Sequence, residues 1–403
     1  MTADLTLVRD LLAERTGSET ETRILAVLQD LDASQLNALL GDDELADRLF
    51  DALDDRLLGG PDNHSALVQL LAVERRDELD LHARANLVHG LQIGRTTDEE
   101  EELIASLLCE VTGRELTHLK NIMNLRNDHH DLEGLLFVDI DSEPVREQIL
   151  RHFAANAPRQ QVTEAKVLSD IDDTVFCKLH DKRYPKGVIY PGVLAFQEAL
   201  DQGPHDDPMS VGDLTFVTAR PMDVLGLLEN HSRESLKKAG IADLSVLSGS
   251  VFGLLTLDRM ASKKIENIDH YVRIFPEYRI SFMGDSGQGD VKVGEKLWEL
   301  HPDVVDAVFI HDVKQTPQAE RDAHAEHRIW FHDTYVGAAN KALELGLISP
   351  RGWQHVVDEA REGIAAMEWE DAEQEQQILT LLERDVAARP EPGTPRTGNT
   401  ETL

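Results

Sequence analysis

Lys166-Val-Leu-Ser-Asp170-Ile-Asp172-Asp173-Thr174-Val175 is the stretch on which the fold turns. An apolar, strand-like run ends in two aspartates one residue apart, then a threonine and more apolar residues. At the end of a β-strand, residues i and i+2 project to the same side. Asp170 and Asp172 would therefore share one space, where two carboxylates repel unless a positive charge offsets them. A hard divalent cation such as Mg²⁺ does so through oxygen ligands. One carboxylate can then attack phosphorus while the other handles protons.

The chain contains a second pair of the same spacing, Phe137-Val-Asp139-Ile-Asp141-Ser-Glu-Pro144. There Ser142 and Pro144 introduce a helix-periodic run, so the pair reads as a helix start with proline in its first turn. The residues downstream of each pair tell the two sites apart.

Beyond Asp170, short apolar runs alternate with helical segments: Ala165–Ser169, Leu214–Thr218, Leu244–Leu247, Ile280–Met283, Ala307–Ile310 and Ile329–Phe331 as strands. Between them Leu194–Leu200, Val224–Lys238, Lys263–Ile274 and Gly294–Leu300 read as helices. This alternation predicts an α/β domain, a Rossmann-like parallel sheet with helices on both faces. Sites in such sheets form at the carboxyl ends of strands. Those ends carry, in order, Asp170, Asp172 and Thr174; then Thr218 and Arg220; then Lys263 and Lys264 ahead of the fourth strand; then Asp285 and Asp290; then His311 and Asp312. Each group alone is unremarkable as a cap, turn or surface lysine. Together they form a constellation.

Residues 1–155 read as helical throughout, with apolar residues recurring at three and four positions. Arg15–Leu28 aligns with Arg95–Leu108 at an offset of 80 positions (Ile24 to Ile104), which predicts an internal repeat. Capping-box starts are expected at Ser18 with Glu21 and at Asp98 with Glu101. The chain thus reads as four parts: an all-helical domain 1–155, an α/β domain 160–350, a helical extension 351–388 for packing or assembly, and a tail 389–403 disordered by composition.

The net charge of −35 argues against nucleic acid as a partner, which would need a basic face. Hydrophobic residues make up 41% of the chain, no run reaches the ~20 apolar residues of a membrane span, and two cysteines are too few for a disulfide framework. Met1-Thr-Ala-Asp-Leu has neither the basic nor the apolar region of a signal peptide, so a cytoplasmic protein is expected. Against this acidity the cluster Lys178, Lys182, Arg183 and Lys186 stands out just beyond Asp172. It reads either as a solvated flap or as a contact for an anionic headgroup or membrane.

The order Asp-x-Asp, Thr, Lys, Gly-Asp resembles the haloacid-dehalogenase-type phosphatases. The segments Ser169–Val175, Tyr190–Phe196, Gly284–Asp290 and Phe309–Val313 are similar to the actin-patch-type phosphatidate phosphatase domain, a relative of the lipins. Val217-Thr-Ala-Arg-Pro221 departs from it toward the lipin-related Ser/Thr-Ala-Arg form, and the accompanying helical domain is also atypical. The resemblance implies a small or absent cap and a Mg²⁺-dependent phosphatase acting on phosphatidate or a related phospholipid. Asp170 would be the nucleophile, Asp172 the acid and base, and Thr218 and Lys264 the phosphate-binding groups, with Lys263 as the alternative lysine. Asp170, Asp172, Asp285 and Asp290 would hold the metal. Thr174, Arg220, Lys182 and Arg183 complete the expected substrate contacts. Alternatives are another bulky phosphomonoester, such as a phosphoprotein or phosphoinositide, or a non-catalytic phospholipid-binding module.

Overall fold

The computed structural model describes residues 3–13, 17–53, 62–93, 96–124, 132–158, 162–208, 214–218, 245–248 and 257–395. The expected helix Val224–Lys238 and residues 396–403 of the tail lie outside them. The chain divides into two compact units, Met1–Ala157 and Pro158–Leu403.

The first unit is helical. The two aligned stretches fold as helix pairs, Ser18–Asp30 with Ala33–Leu40 and Asp98–Cys109 with Gly113–Asn124. Equivalent residues Ile24 and Ile104, Leu36 and Leu116, Leu39 and Leu119 are all fully buried. The caps differ from expectation. Ser18 makes no side-chain cap, and the second box is formed one residue earlier, by Thr97 with Glu100. Glu21 and Glu101 turn inward instead. Glu21 accepts from the Asn63 amide at 2.8 Å, and Glu101 accepts from the backbone N–H groups of Asp141 and Ser142 at 2.7 and 3.1 Å. A buried carboxylate is tolerated only with such partners.

The second unit is built on six parallel strands: β1 (Ala165–Ser169), β2 (Leu214–Thr218), β3 (Ser245–Ser248), β4 (Arg279–Asp285), β5 (Val305–His311) and β6 (Ile329–His332). Their order is β3-β2-β1-β4-β5-β6. The chain therefore winds outward one way from β1, returns past it, and winds out the other way from β4. That reversal leaves a crevice at the carboxyl ends of β1 and β4.

Every residue of β1 and β5 is buried, as expected of strands covered on both faces. Alternate residues of β5 meet opposite layers. Phe309 packs edge-on against Phe196 of the helix Val193–Gln202 at 5.0 Å between ring centroids, whereas Val308 lies under Gly294 of the helix Asp290–Leu300. A Cβ on Gly294 would come within 2.7 Å of Val308, so that helix sits as close as a glycine permits. Even Lys166, inside β1, is accommodated: its ammonium lies 4.4 and 4.6 Å from the ring centroids of Phe275 and Tyr278.

The stretch read as a C-terminal extension supplies two helices, Pro350–Ala366 and Ala372–Ala387, to this same core through Trp353, Val356, Val357, Ile364, Ile378 and Leu382. Gly393 N–H donates to Leu343 O at 2.9 Å, and the Arg389 guanidinium lies 4.7 Å from the Trp353 ring centroid.

Candidate active site

β1 ends at Ser169, and Asp170 N–H still donates to Met283 O of β4 at 2.9 Å. This bond fixes the Asp170 backbone between the two central strands. Asp285 closes β4, and Asp290 opens the helix Asp290–Leu300. The loop joining them is tight: a Cβ on Gly284 would lie 2.5 Å from the Asp290 Cβ. Asp290 is thereby pressed back over the strand end, where its Oδ2 accepts from Asp285 N–H at 3.3 Å.

The long helix Leu257–Ile274 brings in Lys264, whose Nζ donates to Asp170 Oδ1 at 2.8 Å and to Asp290 Oδ1 at 2.6 Å. Lys263, its sequence neighbour, pairs with Glu266 at 3.1 Å instead. The helix thus decides between the two lysines by rotation, and Lys264 is the one turned inward. Asp170, Asp285 and Asp290 each offer an oxygen within 4.8 Å of the others.

The electrostatics follow from crowding. Burial pushes the Asp170 carboxyl up to about 7, with Asp290 and Asp172 adding to the shift and Lys264 opposing it. Burial, with Asp290 and Asp170 adding to it, holds Asp285 well above the ordinary carboxylate range. Burial alone would lower Lys264, but Asp170 and Asp290 raise it above its usual value. Three carboxylates facing one ammonium carry uncompensated negative charge. An all-oxygen donor set of that charge fits a hard divalent cation. Gln288 adds polarity at the same place, donating to Asp172 O at 3.2 Å and to Asp285 Oδ2 at 3.4 Å. A second group of suitable spacing, Asp173, His180 and Asp285, is less available because Asp173 is already occupied by hydrogen bonds.

Asp172 stands apart from this cluster, with Lys178 Nζ 3.0 and 3.1 Å from its two carboxylate oxygens. Asp173, at φ 56, adopts a left-handed conformation unusual for a residue with a side chain. Its buried carboxylate accepts from the backbone N–H groups of Lys178, Leu179 and His180, each at 2.8 Å. Strain of this kind persists where surrounding bonds impose it.

Beyond lies an antiparallel flap. Tyr190 N–H donates to Val175 O at 3.0 Å and Cys177 N–H to Val188 O at 3.0 Å.

Some expected contacts are placed elsewhere. Arg183 is buried, and its guanidinium donates to both oxygens of Asp181 at 3.0 and 2.9 Å and to Asp312 O at 2.9 Å. With its donors spent inside the protein it is a structural fastening, which corrects its assignment to substrate. Thr174 is also fully enclosed, so its hydroxyl is not presented to a substrate. Lys182 is exposed on the flap. Thr218 ends β2, one strand from β1, and Arg220 lies outside the described residues.

Two participants escaped the sequence reading: Asp173 organises the turn and Gln288 bridges the two strand ends. Gln288 lies within the Gly284–Asp290 motif, where its amide could have been noticed; the role of Asp173 exists only through the turn it gathers. Asp312, expected at the end of β5, fastens the Asp285 loop by accepting from Ser286 Oγ at 3.0 Å.

Comparison with known proteins points to the same segment of the chain. Residues 165–312 match the family model described as phosphatidate phosphatase APP1, catalytic domain. Searches of curated proteins and of solved structures found no match. The matched segment begins with β1 and ends at Asp312, spanning every described carboxylate and lysine of the cluster. Over residues 165–312 the chain is thus similar to the catalytic domain of phosphatidate phosphatase APP1, a phosphoric monoester hydrolase domain.

Proposed function

We propose that the chain is a Mg²⁺-dependent phosphatase that hydrolyses phosphatidate or a related phospholipid through an aspartyl-phosphate, in the manner of the haloacid-dehalogenase-type enzymes. One observation carries the reading: Lys264 bridges Asp170 and Asp290 beside Asp285, at the switch point of the sheet.

Asp170, with one oxygen held by Lys264, uses the other to attack phosphorus. As the new P–O bond forms, the bond to the leaving oxygen breaks, and that oxygen takes a proton from the Asp172 carboxyl. A water then attacks the aspartyl-phosphate, losing its proton to Asp172. Phosphate leaves and Asp170 is restored. Lys264 supplies positive charge to the equatorial oxygens, with Thr218 placed on the neighbouring strand to assist. Asp170, Asp285, Asp290 and the Asp172 carbonyl would hold Mg²⁺, which when bound neutralises phosphate charge.

Phosphate release from short-chain phosphatidate with Mg²⁺ or with EDTA tests this, with Asp170→Asn as control. Release that needs the metal and disappears in the variant is expected. Release from an aryl phosphate alone would discard the lipid and keep the chemistry, favouring another bulky phosphomonoester. Silence on both would favour a non-catalytic phospholipid-binding module.

A cytoplasmic enzyme of this kind would meet its substrate at a membrane surface, and no described helix is long and apolar enough to cross one. With Arg183 turned inward, Lys182 and Lys186 are the flap cations left exposed, beside the half-exposed Leu179. Each contributes about 1 kcal/mol at an anionic surface. Lys182→Gln with Lys186→Gln should weaken binding to anionic vesicles by roughly tenfold or more on that scale; unchanged binding would make the flap merely solvated.

A further inference from the structure

Lys178 belongs by sequence to a basic cluster on a flap, yet its ammonium is turned onto Asp172 rather than into solvent. The placement is built. Asp173, wholly buried and held at φ 56, gathers the N–H groups of residues 178, 179 and 180 onto its carboxylate. The His180 ring lies against the same carboxylate at 2.8 Å. The turn is therefore anchored from within, and its backbone donors are consumed. The ammonium it can still offer a ligand is that of Lys178, whose side chain is one-third exposed (33%) and pairs with Asp172.

Charge balance points the same way. With all four ionised around a bound cation, Asp170, Asp172, Asp285 and Asp290 bring four negative charges, and among the described residues Lys264 and Lys178 answer with two positive ones. A single divalent cation makes that set neutral, so a phosphate dianion enters without net repulsion. Without Lys178 it would enter against a net negative charge, at separations where such interactions are strong.

We propose that Lys178 is a phosphate-binding residue: on entry of substrate its ammonium exchanges the Asp172 carboxylate for an oxygen of the phosphate being transferred. The inference rests on the phosphomonoesterase reading but not on the lipid. The ammonium on its flexible stem suits this exchange, since it carries three donors and imposes no planar geometry. In the empty site the pair with Asp172 holds the lysine ready. In the loaded site it leaves Asp172 facing the leaving oxygen.

The test is calorimetric titration of the full chain with inorganic phosphate in the presence of Mg²⁺. Lys178→Met, Lys178→Arg and a surface control, Lys296→Met, are compared with the unaltered protein, and thermal unfolding verifies that each variant is folded. Lys178→Met should weaken phosphate binding tenfold or more, Lys178→Arg should recover most of the loss, and Lys296→Met should bind normally. Binding within twofold of the unaltered protein in Lys178→Met would overturn the assignment. So would an equal loss in Lys296→Met, which would mean a diffuse field effect. If Lys178→Met does not fold, Lys178→Gln carries the same comparison. Inorganic phosphate is common to every phosphomonoester, so failure here is distinct from failure to hydrolyse phosphatidate.

Discussion

The chain contains the pattern Asp-Ile-Asp twice, and the two copies have opposite fates. Asp139 ends a wide helical turn, Leu135–Asp139, and accepts from the Gln92 amide at 3.0 Å. Asp141 is exposed, and its backbone N–H is capped by Glu101. Asp170 follows a central parallel strand instead and meets a lysine from a helix 94 residues away. Identical side chains at identical spacing therefore mean little until the topology says what converges on them. A strand end at the switch point gathers carboxylates and an ammonium into one space; this helix start gathers only single hydrogen-bond partners, Gln92 and Glu101.

The largest expected effect sharpens that contrast. Asp170→Asn should cut turnover of short-chain phosphatidate by roughly a thousandfold or more, as removal of a nucleophile does. Asp139→Asn should leave it within about twofold, since surface substitutions away from a site are near neutral. Comparable losses in both would break the distinction between a site and a helix start.

Much of this was legible beforehand for a physical reason. Ala165–Ser169 and Leu214–Thr218 are strands over the expected residues, and β3, β4, β5 and β6 differ from expectation only at their ends. Buried parallel strands must be apolar and must alternate with helices, so they print themselves on the sequence. Asp170, Asp285 and Asp290 were legible because strand ends and turns fix them locally. The direction in which a long cation points was not. Lys263 and Lys264 differ by a rotation about one helix, and Lys178 and Arg183 lie on one flap facing different carboxylates. Partners far away in sequence fix that choice for Lys264 and Arg183, and for Lys178 the fold of the turn does so. The tail illustrates the same limit: its composition reads as disordered, but the Tyr335–Glu344 helix offers it a carbonyl at Leu343.

The next effect concerns stability. Lys264 is buried between two carboxylates, and removing one partner of such a set strands the others without water. Lys264→Met should destabilise the metal-free protein by about 3–5 kcal/mol, read as a lowered denaturation midpoint. Added Mg²⁺ should recover part of this, because a dication replaces the missing charge. A variant as stable as the parent would mean that Asp170 and Asp290 do not depend on the lysine for compensation.

The smallest effect is a dependence on pH, and it has opposing parts. Asp170 and Asp285 both titrate above the unfolded-state value; for Asp170, pushed up to about 7, the folded chain between roughly pH 4 and 7 holds a proton that the unfolded chain has released. Stability from both groups is present at low pH and is lost as the pH rises, for Asp170 through that window. His311 and His332 pull the other way. Burial lowers both, so they are neutral in the fold and charged when unfolded, and stability from them grows as the pH rises toward the ordinary histidine value. Asp333, held down to about 2 chiefly by Arg321 and Arg384 against the opposing effect of burial, acts only at lower pH. The slope of the whole protein is thus a balance, and the difference between the parent and Asp170→Asn isolates the carboxylate. Without metal, the parent should lose thermal stability relative to Asp170→Asn between pH 5 and about pH 7.5, in keeping with a folded value near 7. Saturating Mg²⁺ should reverse that difference, because the cation prefers the ionised cluster that the bare fold disfavours. A parent that gains on Asp170→Asn across the window without metal would mean that Lys264 alone compensates Asp170, and the case for a divalent cation at this cluster would lose its electrostatic basis.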